Sequence, residues 1–257
     1  MNVTDFIKDS FNYSSQDWSK ILILGACCII IVVLMGLIDF AIIAALSGSQ
    51  SGILGFILLF IVNLIFSALI IMTLGGYGLG VVRETLADVA APVPEFEFGN
   101  VLNDGLKVLV LGIIYGIVPI IIMFLLSFVF GAAASITTLD PYAILGSFFG
   151  IILITGIVTI FFSLLAIIAF AKLAETDDIG SIIEFGEILE TISKIGWGNY
   201  LVWLIVLWLV SLVVMFIVSF INIIPILGQI LYVLIVPGFM VLFGSRAIGL
   251  IYNESKV

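Results

Sequence analysis

One carboxylate, Asp39, stands inside an otherwise apolar stretch that begins after Lys20. It lies 19 residues beyond that lysine, ~28 Å along a helix rising 1.5 Å per residue. An acid at membrane depth is a functional candidate by default, because charge is expensive there. Proton or ion binding is the chemistry it could do. At that distance it could equally reach water at the outer boundary and do none. Asn63, midway along the next apolar run, and Thr155, Thr159 and Ser163, at i,i+4 spacing, are the other polar groups at depth. They could be hydrogen-bonding glue between helices, each worth ~0.6–2 kcal/mol, or the lining of a polar path. Pro119 and Pro237 each remove a backbone hydrogen bond from an apolar run. The freed carbonyls could coordinate a substrate, although neighbouring helices usually satisfy them. A transport site would gather Asp39, Asn63 and Pro119 between helices.

Other chemistries are excluded or weak. The chain has no His, so no His-ligated zinc, Ser-His-Asp triad or imidazole shuttle can form. Cys27 and Cys28 are adjacent in an apolar run and read as small fillers. Gly76-Tyr-Gly78-Leu-Gly80 has the glycine spacing of a nucleotide loop, but no strand precedes it. Gly76/Gly80, Gly112/Gly116 and Gly146/Gly150 read better as small-xxx-small helix contacts, extended on one run by Ser127, Gly131 and Ser135. No Ser, Cys or Lys has an evident activating partner, so the expectation is no enzyme, no cofactor and no bound metal.

The elements that must position these residues follow from composition. Of 257 residues, 63% are apolar and only 10% charged, and the mean hydropathy is +1.43. No water-soluble domain has that balance. The formal charge of −9 repels phosphates and excludes a nucleic-acid partner. Six runs are long enough to cross a bilayer, roughly 20–46, 52–82, 107–134, 142–171, 199–224 and 228–252. With six spans, all eight basic residues fall on one side. Basic residues beside spans stay cytoplasmic, so both termini are expected in the cytoplasm. The turns at Ser47–Ser51, at Ser135–Pro141 with Asp140, and at 222–228 would then face outward.

A repeat runs through the spans. Phe11, Phe98 and Phe185 step by 87 residues, and so do Lys20, Lys107 and Lys194. Asp17 and Asp104 hold the same register, with Thr191 in the third copy. Arg83 stands 12 residues before Glu95, and Lys172 stands 12 before Glu184. The expected architecture is an all-α integral membrane protein of three parallel two-helix units, about 1–82, 83–171 and 172–257. Such units are related by an axis along the membrane normal. A cytoplasmic amphipathic helix lying in the interface would precede each one. In the third, Ser181, Glu184, Glu187, Thr191 and Lys194 share one face, and Ile182, Phe185, Ile188, Leu189 and Ile192 the other. Glu190 and Lys194 are spaced for an ion pair.

The middle of the chain carries a resemblance. Gly75-Gly76-Tyr77, Arg83, Pro94-Glu95-Phe96 and Asp104-Gly105-Leu106-Lys107 follow in order. Over roughly residues 75–125 this resembles an uncharacterised family of multi-span proteins abundant in methanogenic archaea, a domain of unknown function (DUF4013). The Leu common before Pro-Glu-Phe is Val93 here, with Pro94 following. The resemblance implies a plasma-membrane protein, archaeal in origin, and brings no catalytic residue to carry over. The functional expectation is a scaffold or assembly protein that holds membrane partners or a basic cytoplasmic partner. The alternative is a small-solute or lipid transporter, or a lipid-binding protein, with a site between the hairpins.

Overall fold

A computed structural model describes residues 3–46, 52–136 and 141–256. The turns expected at Ser47–Ser51 and at Asp140 lie outside the described residues. All regular structure among the described residues is helical. Helix α1 is Val3–Gln16, α2 Trp18–Leu46, α3 Gly52–Ala87, α4 Phe98–Ile136 and α5 Pro141–Thr176. A short 3-10 segment, Ile179–Ile183, leads into α6, Phe185–Ile195. Then come α7, Trp197–Ser219, and α8, Leu227–Asn253. Six of the helices, all but α1 and α6, are long and apolar enough to span a membrane.

Local signals decide where helices break. Asp17 separates α1 from α2: its carboxylate accepts from the Ser19 amide at 3.0 Å and caps α2. Gly196, at φ 89°, separates α6 from α7 in a conformation that costs glycine little. Residues 83–171 depart from expectation here, since no separate helix precedes α4. Phe98 opens α4, which continues unbroken through Lys107 and Pro119. Asp104, in register with Asp17, does not cap. Arg83 on α3 takes its carboxylate with two guanidinium contacts, at 2.8 and 3.3 Å. Asp17 thus opens a helix, whereas Asp104 is a side-chain partner inside one.

Helices α3, α5 and α8 touch one another; α2 packs against both α3 and α8, α4 against both α3 and α5, and α7 against α8. Two seams are drawn to backbone contact by glycine. A Cβ on Gly76 would sit 2.0 Å from the Val101 carbonyl, and one on Gly105 2.1 Å from that of Met72. Between α2 and α8, Gly25 and Gly238 face Leu234 and Ile21 in the same way. Of the glycine ridges expected from sequence, Gly76 makes such a contact. Gly80, Gly112, Gly116, Gly131 and Gly146 have nothing within 4 Å of a Cβ position, and Gly150 meets only the Phe130 ring.

Both buried apolar clusters sit near the end of the bundle that carries the termini. Helices α1 and α6 contribute to it. Ile188 and Ile192 of α6, and Ile182 in the 3-10 segment before it, are fully buried, and Phe6 and Tyr13 of α1 are buried. Their apolar faces therefore cover the bundle, rather than lying wholly in the headgroup region.

Candidate functional site

The structure joins two of the residues singled out at depth. The Asn63 amide nitrogen on α3 stands 3.2 and 3.1 Å from the two Asp39 carboxylate oxygens on α2, and 2.9 Å from the Leu59 carbonyl. Two protons serve three acceptors, so one N–H is shared across the carboxylate. Seven residues of α2 and eleven of α3, nearly all apolar, lie beyond the pair toward the far end. Asn63 also borders a groove of about 510 Å³ lined by Phe60, Ser67, Leu109 and Ile113.

Pro119, Thr155 and Thr159 gather elsewhere. They line a cavity of about 400 Å³ between α4 and α5, with Gly112, Gly116, Tyr115 and Ser163. Pro119 and Asp39 thus line different sites, against expectation, because α4 rather than α2 packs beside α5. The wall is overwhelmingly apolar. The Thr155 hydroxyl is buried without a hydrogen-bond partner among the described residues. Ser163 donates to the Thr159 carbonyl at 2.8 Å.

The densest chemistry is a layer of ion pairs at the charged end. Arg246 on α8 is 3% exposed. It donates to both Asp9 oxygens on α1, to Thr85 on α3 and to the Val89 carbonyl, and stacks on Tyr13 with its guanidinium carbon 4.6 Å from the ring centre. Lys20 pairs with Glu95 across the connector between α3 and α4. Lys107 reaches Asp177 at 2.8 Å and Asp104 at 3.5 Å, and Arg83 contacts the same two acids. Lys172 pairs with Glu184 and Glu187. Lys194 pairs with Glu190 at 3.0 Å, as spaced. Tyrosines tie the connectors down: Tyr77 to the Pro94 carbonyl, Tyr13 to that of Pro92, Tyr115 to that of Ile182.

The family model described as a protein of unknown function (DUF4013) matches residues 62–223. The chain belongs to this family. No curated protein and no solved structure matches it. The DUF4013 match runs from within α3 through α7, so it takes in α4 and α5, their cavity, and the Arg83–Asp104–Lys107–Asp177 cluster.

The repeat-defining residues of this DUF4013 chain hold different stations. Phe11 rests edge-on against Phe239, Phe185 meets Tyr115, and Phe98 is exposed. Lys20 is buried, whereas Lys194 has its side chain 58% exposed. Outside the spans, hydrogen bonding from Lys107, helped by Arg83, holds the Asp177 carboxyl below its usual range. The Ser19 hydrogen bond lowers that of Asp17, and Lys172 lowers that of Glu187. Burial pushes the Tyr13 phenol up to about 12. Among the described residues no group of three His, Cys, Asp or Glu could hold a metal ion. Sequence reasoning missed Arg246 and Asp177 as hubs. A lone arginine late in an apolar run was the available signal, because such a charge must find a partner.

Proposed function

We propose that this protein is a non-enzymatic scaffold that holds membrane components at fixed spacing in the plasma membrane of an archaeal cell. The observation that carries this reading is the lacing of the helix pairs at the charged end. Lys20 ties α2 to the connector that precedes α4, Arg83 ties α3 to α4 and to Asp177, and Arg246 ties α8 to α1 and α3. Transporters work by rocking one repeat against another. Here that motion would break the Arg246–Asp9 pair, whose cation is buried, and with it the more exposed Lys20–Glu95 and Arg83–Asp177 pairs, each of which contributes little alone. Such a cap favours a rigid platform. Its charged end faces the cytoplasm in this reading, supported by the gathering of Lys and Arg there. The exposed acids on it suit a basic partner. Three parallel units, 1–82, 83–171 and 172–257, are arranged about one axis. The mutual contact of α3, α5 and α8, with α2 and α4 seated between pairs of them, supports that arrangement.

The test is gentle extraction from the native membrane followed by native mass spectrometry. A complex with other membrane proteins at fixed stoichiometry is the expected result. Solute-driven flux in proteoliposomes of the purified chain would overturn the reading. A second reading, a lipid-handling protein, is favoured by the apolar cavity between α4 and α5.

A further inference from the structure

The cavity holding Pro119 and Thr155 does not end at α4 and α5. A second space of about 440 Å³ lies where α3, α5 and α8 meet, and the two share Leu111, Ser163 and Ala166. Together they make one cleft. Along α5 it runs from Phe170 to Thr155, ~22 Å at 1.5 Å per residue. A leaflet's share of the ~30 Å hydrocarbon core is about 15 Å, so the cleft passes the midplane. Each space falls within the ~300–1,000 Å³ of ligand pockets.

Three features point to one occupant. Gly112, Gly116 and Gly244 border the cleft with nothing within 4 Å of a Cβ position. Unlike Gly76 and Gly105, they draw no helix close; they leave room. Next, the cleft lies between spanning helices and its lining is almost wholly apolar, so hydrocarbon enters it and water does not. Finally, Ser245 is 6% exposed, lines the cleft beside Arg246, and has no hydrogen-bond partner among the described residues. Its Oγ points across the seam: a Cβ on Gly78 would lie 2.6 Å from it. An unpaired hydroxyl at that depth costs free energy unless something supplies an acceptor. Ser245 stands level with the ion-paired layer, where the ester or ether oxygens of a lipid lie.

We propose that this cleft binds the hydrocarbon chain of a membrane glycerolipid, with Ser245 donating to an oxygen at the glycerol end. This deepens the lipid-handling reading, and it rests on that reading only for the ligand class. Lipid need not be moved for the site to exist.

The test uses the full chain in phosphatidylglycerol nanodiscs containing a phosphatidylcholine with a diazirine in one acyl chain. After photolysis, adducts are mapped by mass spectrometry. Label is expected to concentrate on residues 112–123 and 155–166. Gly116→Leu, whose Cβ meets nothing within 4 Å and whose side chain would enter the cleft, should lower it tenfold or more, and Thr159→Leu should do the same by another wall. Ser245→Ala should lower it severalfold. Gly36→Leu, also open but on α2, should leave it unchanged. Label spread evenly over α2 and α7, or unaltered by both filling variants, overturns the site. Failed lipid flux with the labelling intact would remove transport alone.

Discussion

The two ends of the bundle are built on different principles. At the charged end, α1, α6 and the connectors cover the bundle, glycines bring backbones together, and buried cations are matched by acids. Toward the far end the same helices carry large exposed side chains on most positions, such as Phe56, Phe124, Phe128, Phe148 and Phe216. Asp39 and Asn63 form a polar tie between helices there. Packing against protein is needed where charges must leave water, because an unpaired charge is intolerable there. Where side chains are apolar throughout, lipid serves nearly as well as protein, and no hydrophobic drive draws the helices together. Rigidity therefore belongs to one end and adaptability to the other.

The largest expected effect breaks the lacing. Arg246→Leu strands Asp9 and should destabilise by roughly 3–5 kcal/mol, read as a fall in thermal midpoint in nanodiscs. Adding Asp9→Asn should recover part of the loss. If the single variant melts like the parent, the layer is not what holds that end.

The next comparison is glycine against glycine. Gly105→Ala puts a methyl into a backbone carbonyl and should cost about 1–3 kcal/mol. Gly116→Ala meets open space and should be neutral, or stabilising by up to about 1 kcal/mol. Equal effects would erase the distinction between a seam and a cleft.

At the far end, Asn63→Leu removes the tie to Asp39. The expected cost is ~0.6–2 kcal/mol. A loss as large as that of Arg246→Leu would contradict the division between the ends.

The smallest effect is that of pH. Asp177 has its folded carboxyl lowered, so its contribution is present above the unfolded value near 4 and is lost as pH falls through the folded one. Tyr13 is raised to about 12, so its contribution is lost as pH rises from about 10 to 12. Asp177 is exposed, and solvent screening keeps its share small. A thermal midpoint flat from pH 5 to 9 and falling at both edges is expected. Asp177→Asn should blunt the acid edge alone.

Much of this was readable from residue order. Six hydropathic runs matched the six long apolar helices in number, five of them to within about five residues at each end, while α4 begins at Phe98, well before its run at 107. Glu190 and Lys194 paired as their spacing required. Asp39 and Asn63 stood out as intramembrane polar groups, but their pairing depends on how α2 and α3 are rotated, which near-uniform apolar helices do not encode. Pro119, Thr155 and Thr159 line one cavity through the packing of α4 on α5, a grouping that no spacing in the chain foretold. The unbroken α4 was illegible, because nothing local tells whether Asp104 will cap a helix or answer Arg83 from another.

Electron-spin distance measurements test the division most directly. With Cys27 and Cys28 replaced by Ala, one label set would sit at Ser19, Asn103 and Asn199, and a second at Ile43, Phe128 and Ile217. Each set places one label on each helix pair. The account predicts narrow distances for the first set, unchanged between thin and thick bilayers, and broad distances for the second that shift with thickness. Broad distances at the charged end, or narrow and immobile ones at the far end, would contradict it.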